Sequence, residues 1–165
     1  MAVGAGLCQS FFDLYIVVIV SRPLHRYDQI VDRAEDMFTK SNRSVVVVVD
    51  DDPRVRESLG DLLCVAGFVV RLYRSGEEAL QAGNLDNAHC LVTDVRMQGM
   101  DGSELQRHVI ATQPHLPVIF VTAHHDDAVR LQVLRKGAFA FLYKPCDGEE
   151  LLAVIAHALK QQQKT

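Results

Sequence analysis

Several apolar runs in this chain end in residues that could do chemistry together. Val45 to Val49 is followed by Asp50-Asp51-Asp52, His89 to Thr93 by Asp94, Val118 to Val121 by Thr122-Ala123, and Ala138 to Tyr143 by Lys144-Pro145. Carboxylates a few ångströms apart cannot all stay ionised without a counter-charge, since like charges raise each other's pKa. A hard divalent cation supplies that charge. Mg²⁺ takes oxygen ligands, keeps several waters, and is usually held by one or two carboxylates plus phosphate oxygens. A carboxylate nucleophile, a hydroxyl donor and an ammonium beside such an ion suit phosphoryl transfer to aspartate, where positioning and charge neutralisation provide most of the catalysis.

These groups meet only if the runs are strands ending at one edge of a sheet. Five consecutive valines, branched at Cβ on both faces, predict a strand covered on both sides. Asp52 offers a helix cap and Pro53 suits the first helical position; Val55, Leu59, Leu62, Leu63 and Ala66 then form an apolar stripe ended by Gly67. The pattern repeats. Phe68 to Tyr73 predicts a strand, and Ser75-x-x-Glu78 a capping box opening a short helix to about Gly83. His89 to Thr93 is followed by a Gly/Met/Asp loop and a helix over Ser103 to Thr112, stopped by Pro114. Pro117 leads Val118 to Val121, with a helix from Asp126 to Lys136 ended by Gly137. After the strand Ala138 to Tyr143, Asp147 caps a last helix with Leu151, Leu152, Val154, Ile155, Ala158 and Leu159 facing inward. Five strands alternating with five helices predict an α/β fold with a doubly wound parallel sheet, whose ligands sit at the carboxyl ends of the strands.

On these residues the chain resembles the receiver domains of two-component response regulators, CheY-like in fold and FixJ-type in group. The resemblance is carried by Val49-Asp50-Asp51-Asp52-Pro53, Thr93-Asp94-Val95-Arg96-Met97-Gln98-Gly99-Met100-Asp101-Gly102, Phe120-Val121-Thr122-Ala123, and Gly137-Ala138-Phe139-x-Phe141-Leu142-x-Lys144-Pro145. It implies a flavodoxin-like sheet of order 2-1-3-4-5 over residues 44–160. It also implies that Asp94 is the phosphoacceptor, served by a phosphohistidine on a sensor kinase or phosphotransfer protein. Asp51, Asp94 and the backbone carbonyl of Arg96 would hold Mg²⁺, with Asp50 reaching the ion through water. Thr122, with Ala123 beside it, and Lys144 would bind the phosphoryl oxygens; Phe141 would be the aromatic switch, and Gly102 and Pro145 structural. Lys144-Pro145 would be a cis bond. Output would run through the fourth helix, fifth strand and fifth helix to a protein partner or a second copy, or the chain would act as a phosphate sink.

The sequence departs from that family at Gln98, where proline is usual, and at Cys146, where phenylalanine is frequent. Arg96 and His124 occupy variable positions flanking the pocket. For Asp52 the plain reading is a helix cap; for Cys146, a small buried hydrophobe; for His124-His125, loop surface. A haloacid dehalogenase-type phosphatase would also use Asp, Thr, Lys and Mg²⁺, but Asp50-Asp51-Asp52-Pro53-Arg54 departs from its first motif and no late acidic pair follows a strand. A pseudo-receiver, keeping the fold without phosphorylation, is the other alternative.

The 165 residues, 48% hydrophobic, can bury a core without staples. Lys+Arg number 17 and Asp+Glu 21, a net charge of −4 that argues against nucleic acid as the main partner. No DNA-binding unit is expected. Four cysteines without CxxC spacing point to reduced thiols in a cytoplasm. The longest early apolar run, Leu14 to Val20, falls short of the roughly 20 residues of a membrane span. Residues 1–43 are read as an N-terminal extension and 161–165 as a tail. In the extension, Leu14 to Val20 could form a strand or docking segment and Tyr27 to Thr39 an amphipathic helix; a natural start at Met37 is the other expectation.

Overall fold

The computed structural model describes residues 44–83 and 85–162. The expectations for Leu14 to Val20, Tyr27 to Thr39 and a start at Met37 lie outside the described residues. The chain alternates β1 (Val45–Val49), α1 (Pro53–Val65), β2 (Val69–Tyr73), α2 (Gly76–Gln81), β3 (Cys90–Thr93), α3 (Gly102–Thr112), β4 (Val118–Thr122), α4 (Asp127–Arg135), β5 (Ala140–Tyr143) and α5 (Gly148–Gln162). The strands form one sheet of order β2-β1-β3-β4-β5, every pairing parallel.

The valine run behaves as its composition demands. Val46 and Val48 join a cluster with Leu59 and Leu63 of α1 and Ile155 and Leu159 of α5, while Val47 and Val49 join Ala79 of α2, Leu105 and Val109 of α3 and Val133 of α4. Alternate residues thus enter separate cores on the two sheet faces, and Val46 to Val49 are all fully buried. Each such side chain contributes roughly 1.5–3 kcal/mol relative to exposure. β2 is an edge strand, so its Val69 and Leu72 stay partly exposed.

The helix starts are set by capping side chains. Asp52 accepts from the Arg54 N–H, Ser75 from Glu78, Asp101 from Glu104, Asp126 from Ala128 and Val129, and Asp147 from Glu149. The capping box at Ser75 differs in detail: the Glu78 carboxylate accepts from the Arg74 N–H, one residue before the cap. α1 and α4 are stopped by Gly67 and Gly137, both at positive φ. β5 begins at Ala140, two residues later than its apolar pattern suggests, because the Ala138 N–H closes the end of α4 on the Val133 carbonyl. Among the described residues no helix is long and apolar enough to cross a membrane.

Candidate functional site

The strand order turns back between β1 and β3, and that switch point is where a sheet of this kind leaves a crevice at its carboxyl edge. The hydrogen-bond ladder runs past the strand ends and pins the site residues. Asp50 N–H donates to Tyr73 O at 3.1 Å, Asp94 N–H to Val49 O at 3.0 Å, and Lys144 N–H to Thr122 O at 2.8 Å. Three separate strands thereby hold their last side chains in register.

Lys144 Nζ sits 2.6 Å from Asp50 Oδ2 and 2.6 Å from Asp94 Oδ2. Asp50 is 1% exposed, Asp94 8% and Thr122 0%. Burial pushes the Asp50 carboxyl up despite its bonds to Lys144 and to the Asp52 N–H. For Lys144 burial acts to lower the pKa, but the hydrogen bonds it donates to Asp50 and Asp94, with their negative charge, outweigh it and the net shift is upward. The pair therefore keeps a protonated lysine beside an acid that is costly to ionise, as expected where carboxylates outnumber cations.

The other site residues close around this centre. Asp94 Oδ1 accepts from the Arg96 N–H at 3.2 Å, and the buried Thr93 hydroxyl donates to the Asp94 carbonyl at 3.0 Å. Asp51 is exposed, with Oδ2 accepting from the Gln98 N–H at 3.3 Å. Thr122 Oγ1 accepts from the His124 N–H at 3.3 Å, and Ala123 beside it is exposed. Phe141 is half-buried, its ring 6.1 Å from Phe120 and 5.3 Å from Tyr143. Lys144-Pro145 is cis. At Gly102 a Cβ would collide with the Asp94 backbone oxygen, which explains glycine there without any appeal to φ. The Asp52 side chain caps α1. His124 and His125 are exposed, His125 stacking on Tyr143 at 4.3 Å. Cys146 packs against the α1/α5 core, and burial raises its pKa.

Among the contacts that escaped the sequence reading, two brace the strand ends and the loop after Asp94. Arg56 donates to the Asp50 carbonyl at 2.6 Å, fixing the peptide that leads into Asp51. Its signal was its place one turn into a helix capped at Asp52, facing back over the strand end. Glu77 Oε1 accepts from the Met100 N–H at 2.7 Å, tying α2 to the loop after Asp94; in sequence it looks like any acid in a first turn.

The donors available at this edge, Asp50, Asp51 and Asp94, are all oxygen. Among the described residues no three His, Cys, Asp or Glu side chains converge into a closed metal cage. Mg²⁺ needs none, since one or two carboxylates and waters suffice; an excess of acid over ammonium at a half-open edge fits it.

Comparison with known proteins agrees with this geometry. The model of the response regulator receiver domain matches residues 46–156. Nodulation protein W of Bradyrhizobium diazoefficiens is 36% identical over 124 residues, covering 75% of this chain and 55% of that protein. The transcriptional regulatory protein FixJ of the same organism is 38% identical over 125 residues, covering 76% and 60%. The chain thus spans little more than half the length of these relatives. The crystal structure of a response regulator receiver domain protein from Clostridium thermocellum superposes with a TM-score of 0.70 at 26% identity, covering 73% of this chain and 97% of that one. Strand order, acids at the β1 and β3 ends, and a lysine after β5 all point the same way as this likeness: the chain belongs to the response regulator receiver domain family.

Proposed function

We propose that Asp94 accepts a phosphoryl group from a phosphohistidine of a sensor kinase or phosphotransfer protein. The observation that carries this is Lys144 Nζ held at 2.6 Å from both Asp50 and Asp94 at the switch point of the sheet. An Asp94 carboxylate oxygen attacks phosphorus and a P–O bond forms as the P–N bond breaks; the bond pair returns to the ring nitrogen of a phosphohistidine already protonated on its other nitrogen, which leaves as neutral imidazole. Lys144 neutralises charge on the phosphoryl oxygens. The Thr122 hydroxyl, now an acceptor from His124, turns its proton to a phosphoryl oxygen. When bound, Mg²⁺ supplies the remaining charge neutralisation; Asp51, Asp94 and the Arg96 carbonyl would hold it, with Asp50 acting through water. Water attack on phosphorus later breaks the acyl O–P bond, releasing inorganic phosphate and returning the carboxylate.

Thr122 and Phe141 lie on neighbouring strands, and Phe141 is only half-buried, so movement of Thr122 leaves room for the ring to turn inward. The surface this would alter is α4-β5-α5, where Leu131 is 49% exposed beside Ala128, Gln132, Arg135 and Lys136. A partner protein or a second copy would read it, in the cytoplasm where the kinase donates. The test is incubation with Mg²⁺ and acetyl phosphate, followed by intact mass. One added phosphate, absent in Asp94→Asn, is expected; an unmodified wild type would favour a pseudo-receiver and overturn the proposal.

A further inference from the structure

The loop from Arg96 to Asp101 lacks the ring that would stiffen it, having glutamine at 98 where the family commonly has proline, and Gly99 within it adopts a positive φ of 79°. It is tied from outside instead. At one point Glu77 Oε1 accepts from the Met100 N–H, and the same carboxylate lies where a Cβ on Gly99 would have to go. At the other, the Gln98 N–H reaches across the crevice to Asp51 Oδ2 at 3.3 Å. Proline has no N–H, so this second tie exists only because residue 98 is not proline. Asp51 is exposed and, among the described residues, its side chain has no other hydrogen bond, so nothing else fixes its orientation.

We infer that the main-chain N–H of Gln98 is a positioning donor for Asp51: it occupies Oδ2, leaves Oδ1 for a divalent cation, and links the order of the loop to that ligand. The inference rests on the reading of Asp51 as a cation ligand. Hydrogen-bond donors behind a ligating carboxylate commonly contribute about 10–100-fold in metal affinity; a long, exposed bond belongs at or below the lower end. The side chain of Gln98 takes no part.

The experiment compares wild type, Gln98→Ala, which keeps the N–H, and Gln98→Pro, which loses it. Mg²⁺ is titrated calorimetrically at fixed ionic strength, and thermal midpoints are taken without the ion. Wild type and Gln98→Ala should share one Kd, with Gln98→Pro weaker by up to about tenfold at an unchanged midpoint. Equal or tighter binding by Gln98→Pro overturns the inference, as does equal weakening in both variants. Should Gln98→Pro fold poorly, exchange of the Gln98 amide hydrogen decides: Asp51→Ala should speed it several-fold, and no change overturns the inference. A wild type that binds no Mg²⁺ removes the reading of Asp51 itself, whereas a wild type that binds beside an unaffected Gln98→Pro removes only the role of Gln98.

Discussion

The side-chain amide of Gln106 in α3 donates to the main-chain carbonyl of Val133 in α4 at 3.0 Å, deep between the two helices. Gln106 is 0% exposed and its Oε1 has no partner among the described residues, while Val133 is the one fully buried residue of α4. Beside the half-buried Val129 and Leu134 and the Tyr143–Asp127 hydrogen bond at its exposed end, α4 is thus tied to the body by one fully buried side chain and one buried hydrogen bond.

Replacing Gln106 by methionine keeps the volume and removes both donor and orphaned acceptor. The lost bond is worth about 1 kcal/mol and the unpaired oxygen costs about 1–3 kcal/mol, so global stability should hold or rise. Val133 O keeps its bond from Ala138. Amide exchange in α4 should nevertheless quicken about fivefold, with α3 and α5 unchanged. Uniform acceleration across all helices would contradict a local tether.

Gly102→Ala places a methyl group against the Asp94 carbonyl, which cannot move without shifting the end of β3. A loss of about 3 kcal/mol in urea unfolding is expected, together with slower labelling by acetyl phosphate under the proposed function. Full stability in the variant would refute this close approach.

The acids of the crevice tax the fold. Because folding raises the Asp50 pKa above its ordinary 3.8, its stabilising contribution is complete below that pH and is lost as pH rises through the folded value. Lys144, raised above 10.5, contributes fully below that pH and loses its contribution only as pH climbs through its own folded value. Asp50→Asn should therefore stabilise the protein near pH 7, on the order of 1 kcal/mol, and the advantage should shrink toward pH 4. Denaturation midpoints across pH 4–8 check it; a gap independent of pH would show that Asp50 is not the source.

Thiol chemistry offers a map of burial. Burial pushes Cys90 up to about 12, and Cys90 is 0% exposed, whereas Cys64 is exposed and Cys146 lies between. Among the three cysteines of the described residues, alkylation followed by peptide mass analysis should label Cys64 first, Cys146 slowly, and Cys90 only in denaturant. Early labelling of Cys90 would mean that β3 opens readily.

What the sequence made legible were features encoded locally. The valines of β1, the caps at Asp52, Ser75 and Asp147, and the stops at Gly67 and Gly137 are each written within a few residues, and the structure places them accordingly. The gathering of Asp50, Asp94, Thr122 and Lys144 at one sheet edge was legible because each ends or directly follows a strand. Long-range contacts made by helix and loop residues were not. Gln106 reads as an ordinary polar helix residue until α4, 27 positions on, covers it. Glu77 reads as a first-turn acid until the loop 23 positions on arrives. Nothing near Gln98 in the chain announces Asp51, 47 positions back.

Asp50 lies 94 positions before Lys144, and Asp94 lies 50 before it. During synthesis the acids therefore leave the ribosome well ahead of their ammonium. A chain cut short anywhere before residue 144 carries the repulsive part of the crevice without the group that balances it. The same linear order that brings the lysine last would make the proposed phosphoryl acceptance a property of the finished fold alone.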